Sequence, residues 1–435
     1  MEYDHQTAAP VDFTAAGDTP EDQEETVKMV KQSPGFPPAA NICAEAIHRD
    51  ADLTVLDYTQ QQVNIRFRID GLWHPGQPMD RQTGDYMLAV LKQLAGLDYR
   101  DRRNKQKGGF ATEYQRFKQK FKIVSQGSKT GERVGLYLSY KKPPLETLED
   151  LGIRQSMVPQ IVDLMKMFEK GGMFLSSAMP GEGYTSCWRA TLDSADRLVR
   201  DFVVLEDVNS KEPEVINVMS ETFDRSKGET AMTPMPQLLL REPDVLAVPE
   251  LTDGELVDNL VSTSSTNNIP IYLRNPGKNA IDALLRVLAL NPNRQKFLEL
   301  LSGVVCMRLV RTLCEDCRIE YPPHPQLLQK LGLPQGRIER LYRPFVFQPG
   351  MVDEEQNEIQ PCTNCNGIGY KGRTGIFELL KMNDQLRQSA TKNPQYKSLM
   401  AIARANGHIS LQQEAAVVIA KGVTSVEELQ RMLQA

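Results

Sequence analysis

From residue 157 onward the sequence alternates between helical and short apolar segments, and this alternation is the strongest constraint on the fold. Such alternation is typical of βαβ units, in which helices cover a mostly parallel sheet. We therefore predict an α/β domain whose ligands bind at the carboxyl ends of the strands. The predicted helices cover residues 157–169, 185–193, 280–288 and 294–313, and the predicted strands cover residues 173–177, 202–205, 245–248 and 269–273.

The preceding part of the chain has a different organisation. Residues 1–36 are acidic and lack a sustained apolar period, so we expect a disordered acidic leader. Residues 37–148 are predicted to form a small α+β domain, because a half-buried strand pattern follows a helical one. Residues 149–435 form the predicted second domain, which includes a cysteine module at about residues 312–368 and a helical tail. Within the first domain we predict helices over residues 39–49 and 86–94, and strands over residues 63–69, 110–114, 120–124 and 134–140.

One loop of the predicted α/β domain is similar to a phosphate-binding loop. Residues 178–185 (AMPGEGYT) lie between a predicted strand and a predicted helix. In the pattern G-x-x-x-x-G-K-[ST], backbone N–H groups bind phosphate oxygens, the Lys neutralises charge and the hydroxyl binds Mg²⁺. Here Ala178 replaces the first Gly and Tyr184 replaces the Lys, and Gly-rich turns of this kind also occur without any nucleotide. The candidate nucleotide contacts are Gly181, Glu182, Gly183, Tyr184 and Thr185.

Two Cys-x-x-Cys pairs give the most specific chemical signal. Cys314 and Cys317 form the first pair, and Cys362 and Cys365 form the second. Two such pairs can supply the four thiolates of a tetrahedral structural zinc site. The alternatives are a redox dithiol, which needs only one pair, and disulfides, which a cytoplasmic location disfavours. The other three cysteines, Cys43, Cys187 and Cys306, lie in apolar segments and are predicted to be buried thiols.

Composition excludes some classes of function. The chain has 435 residues and a formal net charge of −5, so no global positive charge indicates a nucleic-acid partner. No segment approaches the ~20 apolar residues of a membrane span, and the N terminus does not have the pattern of a secretory signal. We therefore expect a cytoplasmic protein that does not bind nucleic acid.

Several motifs resemble those of the ATPases of type II secretion and type IV pilus assembly (general secretion pathway protein E and its pilus relatives). Residues 309–317 (LVRTLCEDC) and 362–380 are similar to that family's tetracysteine module, and residues 64–71 (NIRFRIDG) are similar to a strand of its N-terminal domain. The resemblance extends from about residue 39 to the C terminus. It implies a P-loop, RecA-like domain, structural zinc, ATP and Mg²⁺ as ligands, and a hexameric ring. It also implies an inner-membrane platform protein as a partner, with the chain cytoplasmic and peripheral at that membrane.

The catalytic segments depart from the family's pattern. Glu206 resembles the Glu that would polarise the attacking water, and residues 241–250 resemble the Walker B strand, with Asp244 before the strand and Glu250 after it. The segment 271–283, where the family's histidine motif would fall, contains no His. A substitute cation for the missing P-loop Lys would have to come from Lys278, Arg274 or Arg241. The resemblance thus implies Glu206 and Glu250 as catalytic residues and Asp244 as a nucleotide contact of a degenerate member.

Three functions are compatible with this pattern. The first is a nucleotide-related ring component with weak or absent ATP hydrolysis, which would work beside an intact ATPase paralogue. The second is an active motor for pilin or pseudopilin assembly or for protein secretion that uses a relocated cation. The third is an adaptor or signalling module on the same fold. A Lys about 4 Å from phosphate charge is worth roughly 4 kcal/mol, so its loss alone predicts about a thousandfold slower hydrolysis.

Overall fold

The computed structural model describes residues 8–139, 145, 147–166, 171–195, 197–353 and 355–434. It divides into two compact units, Met1–Pro144 and Leu145–Ala435, and the predicted boundary after residue 148 lies close to this division. The predicted ends of the strand at residue 140 and of the helix at residues 167–169 lie outside the described residues. None of the helices in the described part of the chain has the length and apolarity needed to cross a lipid bilayer.

The first unit is built on one antiparallel sheet with helices. Its strands are β1 (Asp12–Thr14), β2 (Leu53–Tyr58), β3 (Gln62–Ile69), β4 (Leu72–Pro75), β5 (Met79–Asp80), β6 (Gln106–Tyr114), β7 (Phe117–Gly127) and β8 (Glu132–Ser139). Its helices are α1 (Pro20–Lys31), α2 (Phe36–His48) and α3 (Arg81–Leu94). The strand order is β1-β6-β7-β8-β2-β3-β4, and β5 pairs with β3.

The expected disorder of residues 1–36 is wrong for residues 12–31, which form β1 and α1. Strand β1 pairs antiparallel with β6, and Phe13 packs with its ring centroid 5.9 Å from that of Phe110. Thr19 caps α1 by accepting a hydrogen bond from the Asp22 N–H at 3.2 Å. The prediction failed because the acidic composition of this segment outweighed its few buried apolar residues, which include the fully buried Val30. Residues 1–7 lie outside the described residues.

The second unit contains a mostly parallel sheet, which confirms the predicted α/β fold class. Strands β9 (Gly172–Ala178), β10 (Phe202–Asp207), β11 (Val218–Phe223), β12 (Val245–Val248), β13 (Pro270–Arg274), β14 (Leu301–Leu313) and β17 (Tyr370–Lys381) form this sheet. Their order is β11-β10-β12-β13-β9-β14-β17, and only the β14–β17 pair among these described strands is antiparallel. A separate ribbon pairs β15 (Ile319–Tyr321) with β16 (Leu341–Arg343).

Helices lie on both faces of this sheet and bury its apolar residues in two clusters. One cluster contains residues of α4 and α5, and the other contains residues of α7, α8 and α9 together with the C-terminal helices. The helices of the unit are α4 (Val158–Lys166), α5 (Tyr184–Asp193), α6 (Met235–Leu239), α7 (Gly254–Asn267), α8 (Ala280–Ala289), α9 (Arg294–Leu300), α10 (Pro325–Leu331), α11 (Asp384–Lys392), α12 (Tyr396–Ala405), α13 (Leu411–Ala420) and α14 (Val426–Gln434).

The predicted helix over residues 294–313 is wrong in its second half. Helix α9 ends at Leu300, and β14 begins at Leu301 and continues to Leu313. Strand β14 lies between β9 and β17 and is buried on both faces, so its sequence is a nearly continuous apolar run without alternation. Such a run cannot be distinguished from a buried helix by periodicity alone.

A buried ion pair fastens the C-terminal helix α14 to β14. Glu428 is fully buried, and both of its oxygens accept hydrogen bonds from Arg311 and Arg431 at 2.7 to 2.9 Å. The Arg311 guanidinium also lies 3.9 Å from the ring centroid of Tyr370. Burial raises the pKa of the Glu428 carboxyl, but the hydrogen bonds from the two arginines lower it, and the net direction is downward.

Substitution of Glu428 tests this fastening. Glu428→Gln removes the charge that compensates two arginines, so we expect the free energy of unfolding at pH 7 to fall by about 3 kcal/mol. The exposed neighbour Glu427 supplies the control, because Glu427→Gln is expected to change stability by less than about 0.5 kcal/mol. Urea denaturation followed by circular dichroism measures both, and equal effects of the two variants would contradict the proposed role of Glu428.

The same pair predicts a dependence on pH. A carboxylate with a lowered folded pKa stabilises above its unfolded pKa of about 4.3, and this contribution is lost as the pH falls through the folded value. We therefore expect the stability difference between the native protein and Glu428→Gln to shrink below about pH 4. Urea titrations repeated between neutral and acidic pH measure this difference, and a difference that stays constant over the range would contradict the prediction.

Candidate functional site

The loop between β9 and α5 forms a cradle for an anion at the carboxyl edge of the parallel sheet. Gly181 and Gly183 both have φ of 83°, in the left-handed region that favours glycine. Helix α5 begins at Tyr184, and no side chain caps its first N–H groups. Uncapped N–H groups at a helix N terminus are donors for phosphate oxygens, and the helix dipole favours negative charge there. Thr185 lies in the first turn of α5.

Strand β14 supports the cradle from the adjacent position in the sheet. Glu182 of the loop forms an ion pair with Arg308 of β14, in which Nη2 donates to the carboxylate at 3.1 Å. The same Nη2 donates to the carbonyl oxygen of Met432 in α14 at 3.2 Å. Glu182 was predicted to contact nucleotide, but in the structure its carboxylate joins the loop to β14. Its backbone N–H donates to the Met179 carbonyl oxygen at 2.9 Å, which tightens the turn.

Tyr184 occupies the position of the P-loop Lys and contacts a different cation. The guanidinium carbon of Arg274 lies 4.2 Å from the Tyr184 ring centroid and 5.6 Å from that of Trp188. Burial raises the pKa of the Tyr184 phenol, although the Arg274 charge opposes this rise. The phenol is therefore neutral at physiological pH and supplies no charge of its own.

Two of the three guanidinium nitrogens of Arg274 have partners within the chain, and the third has none among the described residues. Only 6% of the residue is exposed, its Nε donates to the Pro249 carbonyl oxygen at 3.0 Å, and Nη2 pairs with Glu212. The buried Nη1 has no hydrogen-bond partner among the described residues. Sequence reasoning named Arg274 as a possible substitute cation but could not place it. The parallel register that pairs Arg274 with Ser176 of β9 brings it to the loop.

The two predicted catalytic carboxylates lie at the same edge, and both have partners within the chain. Glu206, at the end of β10, accepts hydrogen bonds from the Ser220 hydroxyl at 2.7 Å and from the Glu212 N–H at 2.8 Å. Glu250, which follows β12, is half exposed and pairs with Arg225 at 2.8 Å. Asp207 lies 3.9 Å from the same guanidinium. These carboxylates therefore lie at the carboxyl edge of the sheet, and each has a hydrogen bond or an ion pair within the chain.

Three other residues named from the sequence have no contact with the loop among the interactions described. Asp244 accepts a hydrogen bond from the Asp201 N–H at 2.8 Å and precedes β12, so it lies at the amino edge of the sheet. The predicted nucleotide contact by Asp244 is therefore not supported, because the four residues of β12 span roughly 13 Å between the two edges. Arg241 pairs with Glu221 at 3.1 Å, and Lys278 lines a cavity of about 200 Å³ that Arg308 also lines.

The four cysteines of the two pairs converge on one point. Their sulfur atoms all lie within 4.8 Å of one another, with 3.8 Å between Cys314 and Cys362 and 3.6 Å between Cys317 and Cys365. Four thiolates bound tetrahedrally to zinc at about 2.3 Å are roughly 3.8 Å apart, so the arrangement has the right size for a metal ion. The Gly369 N–H donates to the Cys365 sulfur at 3.2 Å, which orients this ligand.

The remaining cysteines lie apart from this group. Cys43, Cys187 and Cys306 are fully buried, as the sequence predicted. Burial raises the pKa of the Cys187 thiol to about 11 and also raises the pKa of Cys306 and Cys43. These thiols are therefore protonated and inert at neutral pH.

Comparison with known proteins identifies relatives of the whole arrangement. A family model described as "Type II/IV secretion system protein" matches residues 21–431. The chain is 28% identical to the type II secretion system protein E of Dickeya dadantii over 89% of this chain and 73% of that protein. It is 25% identical to the type IV pilus assembly ATPase PilB of Thermus thermophilus over 94% of this chain and 43% of that protein. The chain therefore spans less than half the length of that second relative.

A solved structure supports the same fold. The X-ray structure of the ATPase DotB of Legionella pneumophila matches 90% of this chain and 94% of its own chain, with a TM-score of 0.55. The sequence identity is 11%, so this likeness concerns the fold alone.

Substitution of the two loop glycines tests the geometry of the cradle. A Cβ at residue 183 would lie 2.2 Å from the Met307 Cε, whereas a Cβ at residue 181 would meet nothing within 4 Å. Both positions have positive φ, so each Ala variant carries a backbone cost of about 1–2 kcal/mol. We expect Gly183→Ala to destabilise the protein more than Gly181→Ala, as measured by urea denaturation. Equal losses would mean that Met307 moves aside without cost.

Proposed function

We propose that this chain, which belongs to the family of type II/IV secretion system proteins, is a nucleotide-binding ring component that hydrolyses ATP weakly or not at all. One observation carries the proposal: Tyr184 stands at the position of the P-loop Lys, and the cation that lies against it, Arg274, is already paired with Glu212. The uncapped N–H groups of α5 and the two glycines still supply donors for a phosphate.

The absence of a Lys charge at residue 184 supports the proposal of weak ATP hydrolysis. Phosphoryl transfer depends mainly on positioning and on compensation of the charge that develops in the transition state. Loss of the charge of the P-loop Lys removes an interaction free energy of roughly 4 kcal/mol, which corresponds to about a thousandfold slower hydrolysis. Glu206, the candidate for orienting the attacking water, has both oxygens in hydrogen bonds to Ser220 and Glu212. These hydrogen bonds orient the Glu206 carboxylate toward partners within the chain and leave each oxygen a lone pair for a further donor.

A second function is favoured by one specific contact. Arg274 lies against the residue at the Lys position, and its Nη1 has no hydrogen-bond partner among the described residues. If Glu212 releases Arg274 when nucleotide binds, the guanidinium becomes the relocated cation of an active motor for pilin or pseudopilin assembly or for secretion. In that case ATP hydrolysis requires Arg274. Under the first proposal, ATP hydrolysis is slow both in the native protein and in a variant that lacks Arg274.

Phosphate release from Mg-ATP distinguishes the two proposals. We expect the native protein and the Glu206→Gln variant to release phosphate at the same low rate, because Glu206 contributes little to a site that lacks the Lys. The matched variant Tyr184→Phe keeps the ring and is expected to behave like the native protein, whereas Tyr184→Lys is expected to bind ATP about tenfold more tightly.

Two results would change this assignment. Rates normal for a secretion ATPase that fall in both Glu206→Gln and Arg274→Gln would establish the active motor instead. Absence of nucleotide binding by isothermal calorimetry in both the native protein and Tyr184→Lys would contradict nucleotide binding altogether.

The assembly and its location are part of the same proposal. The relatives are a type II secretion system protein E and a type IV pilus assembly ATPase, which supports a role in a secretion system or in pilus assembly. We place the chain in a homo-oligomeric or hetero-oligomeric ring, with an intact ATPase paralogue as a possible companion, at the cytoplasmic face of the inner membrane. A platform protein would hold it there, because the helices of the described residues do not include a membrane span.

The tetracysteine cluster is proposed to bind structural zinc. The residues fit the ion in number, chemistry and spacing, and a Cys₄ set without an open position is typical of structural zinc. The cluster follows β14 and precedes β17, where the Cys314 N–H donates to the Gly369 carbonyl oxygen at 3.1 Å. A bound ion would therefore fix the connection between the two antiparallel strands.

Metal analysis tests this proposal. We expect about one zinc atom per chain in protein purified without chelators, and fewer than about 0.5 would contradict the site. Cys362→Ser is expected to lose the metal and to lower the thermal stability. Cys306→Ser changes a buried thiol outside the cluster and is expected to retain the metal, which separates a ligand effect from a general loss of folding.

A further inference from the structure

Four carboxylates lie at the same carboxyl edge of the sheet as the phosphate cradle, and they outnumber the arginines paired with them. Glu206 and Asp207 end β10, Glu212 follows in the next loop, and Glu250 follows β12. The cations among these contacts are Arg274 and Arg225, and each is paired with a carboxylate. The charges of Glu212 and Glu250 also contribute to the raised pKa of Tyr184, which places both within electrostatic range of the residue at the Lys position.

From this geometry we infer that the cradle selects a nucleoside diphosphate over a nucleoside triphosphate. The inference rests on the nucleotide binding proposed above and specifies its ligand. The backbone donors of the loop are sufficient for one phosphate group at the N terminus of α5. A further phosphate would extend toward the carboxylates, where the P-loop Lys is absent and its added negative charge is not compensated.

The packing of Tyr184 adds a steric reason for the same selection. The ring begins α5 and is held between Arg274 and the cradle, with the Arg274 guanidinium 4.2 Å from its centroid. Arg274 is in turn fixed by the Pro249 carbonyl oxygen and by Glu212. A Lys at this position is flexible and could follow the outer phosphate, whereas a stacked aromatic ring occupies its space.

Arg274, which lies against Tyr184, offers a buried donor to a ligand of the loop. The Nη1 of Arg274 is buried and has no hydrogen-bond partner among the described residues, and the residue is only 6% exposed. A buried donor without an acceptor is costly, and an oxygen of the phosphate group held at α5 would satisfy it. One phosphate at this point uses the donor without displacing Glu212, whereas the charge of a second one competes with the Glu212 carboxylate for the same guanidinium.

Calorimetric titration of the full chain with ADP and with a non-hydrolysable ATP analogue, both with Mg²⁺, tests the inference. We expect ADP to bind at least about tenfold more tightly than the triphosphate. Tyr184→Lys is expected to bring the two affinities within about threefold, mainly by tightening the triphosphate. Glu212→Gln provides a second variant that keeps the ring, and it should shift the ratio in the same direction by freeing Arg274.

A control variant accompanies this titration, and two results would contradict the inference. Arg286→Gln removes an exposed arginine that pairs with Asp282 on α8, and it should leave the ratio unchanged. Triphosphate binding that equals or exceeds ADP binding in the native protein would overturn the inference while leaving the proposed nucleotide binding intact. Absence of binding by either nucleotide in the native protein and in Tyr184→Lys would overturn the proposed function and this inference together.

Discussion

The parallel pairing of β9 with β13 on one side and with β14 on the other is the contact on which the rest of the site depends. Because the three strands run in the same direction, their carboxyl ends meet at one edge of the sheet. The loop follows β9, Arg274 ends β13, and Arg308 of β14 reaches back to Glu182. Each of these side chains comes from a different part of the sequence, and only the register of the strands brings them together.

Local patterns in the sequence were sufficient for the loop, for each Cys-x-x-Cys pair and for the alternation of helices and strands, because each depends on residues near one another in the chain. They were insufficient wherever distance along the chain decided the outcome. The contact between Arg274 and Tyr184 joins residues about ninety positions apart, and no local pattern encodes the register that creates it. Strand β14 was mistaken for helix because burial on both faces removes the alternation by which strands are recognised. The ordered segment near the N terminus was missed because composition outweighed a few apolar anchors such as Phe13 and Val30.

The charges around the cradle compensate one another within the chain. Glu182 is paired with Arg308, Glu212 with Arg274, and Glu250 with Arg225. In a site organised for hydrolysis, some of these groups would be held ready for a metal ion, a phosphate or a water molecule. In this structure each of these carboxylates has a partner within the chain, and the backbone N–H of Glu212 extends the network to Glu206. The network therefore links the position of Tyr184 to that of the candidate catalytic carboxylate through a single loop residue.

The close approach of Met307 to Gly183 bears on how such chains change over evolutionary time. A Cβ at residue 183 would lie 2.2 Å from the flexible end of the Met307 side chain, and the φ of 83° is strained for other residues, so the backbone conformation itself favours glycine there. The Lys position faces no comparable restriction, since an aromatic residue is accommodated against Arg274. A chain of this kind can therefore keep both glycines whatever residue stands at position 184. The backbone conformation of the loop therefore requires its two glycines whether or not a nucleotide binds, whereas it makes no such demand on residue 184.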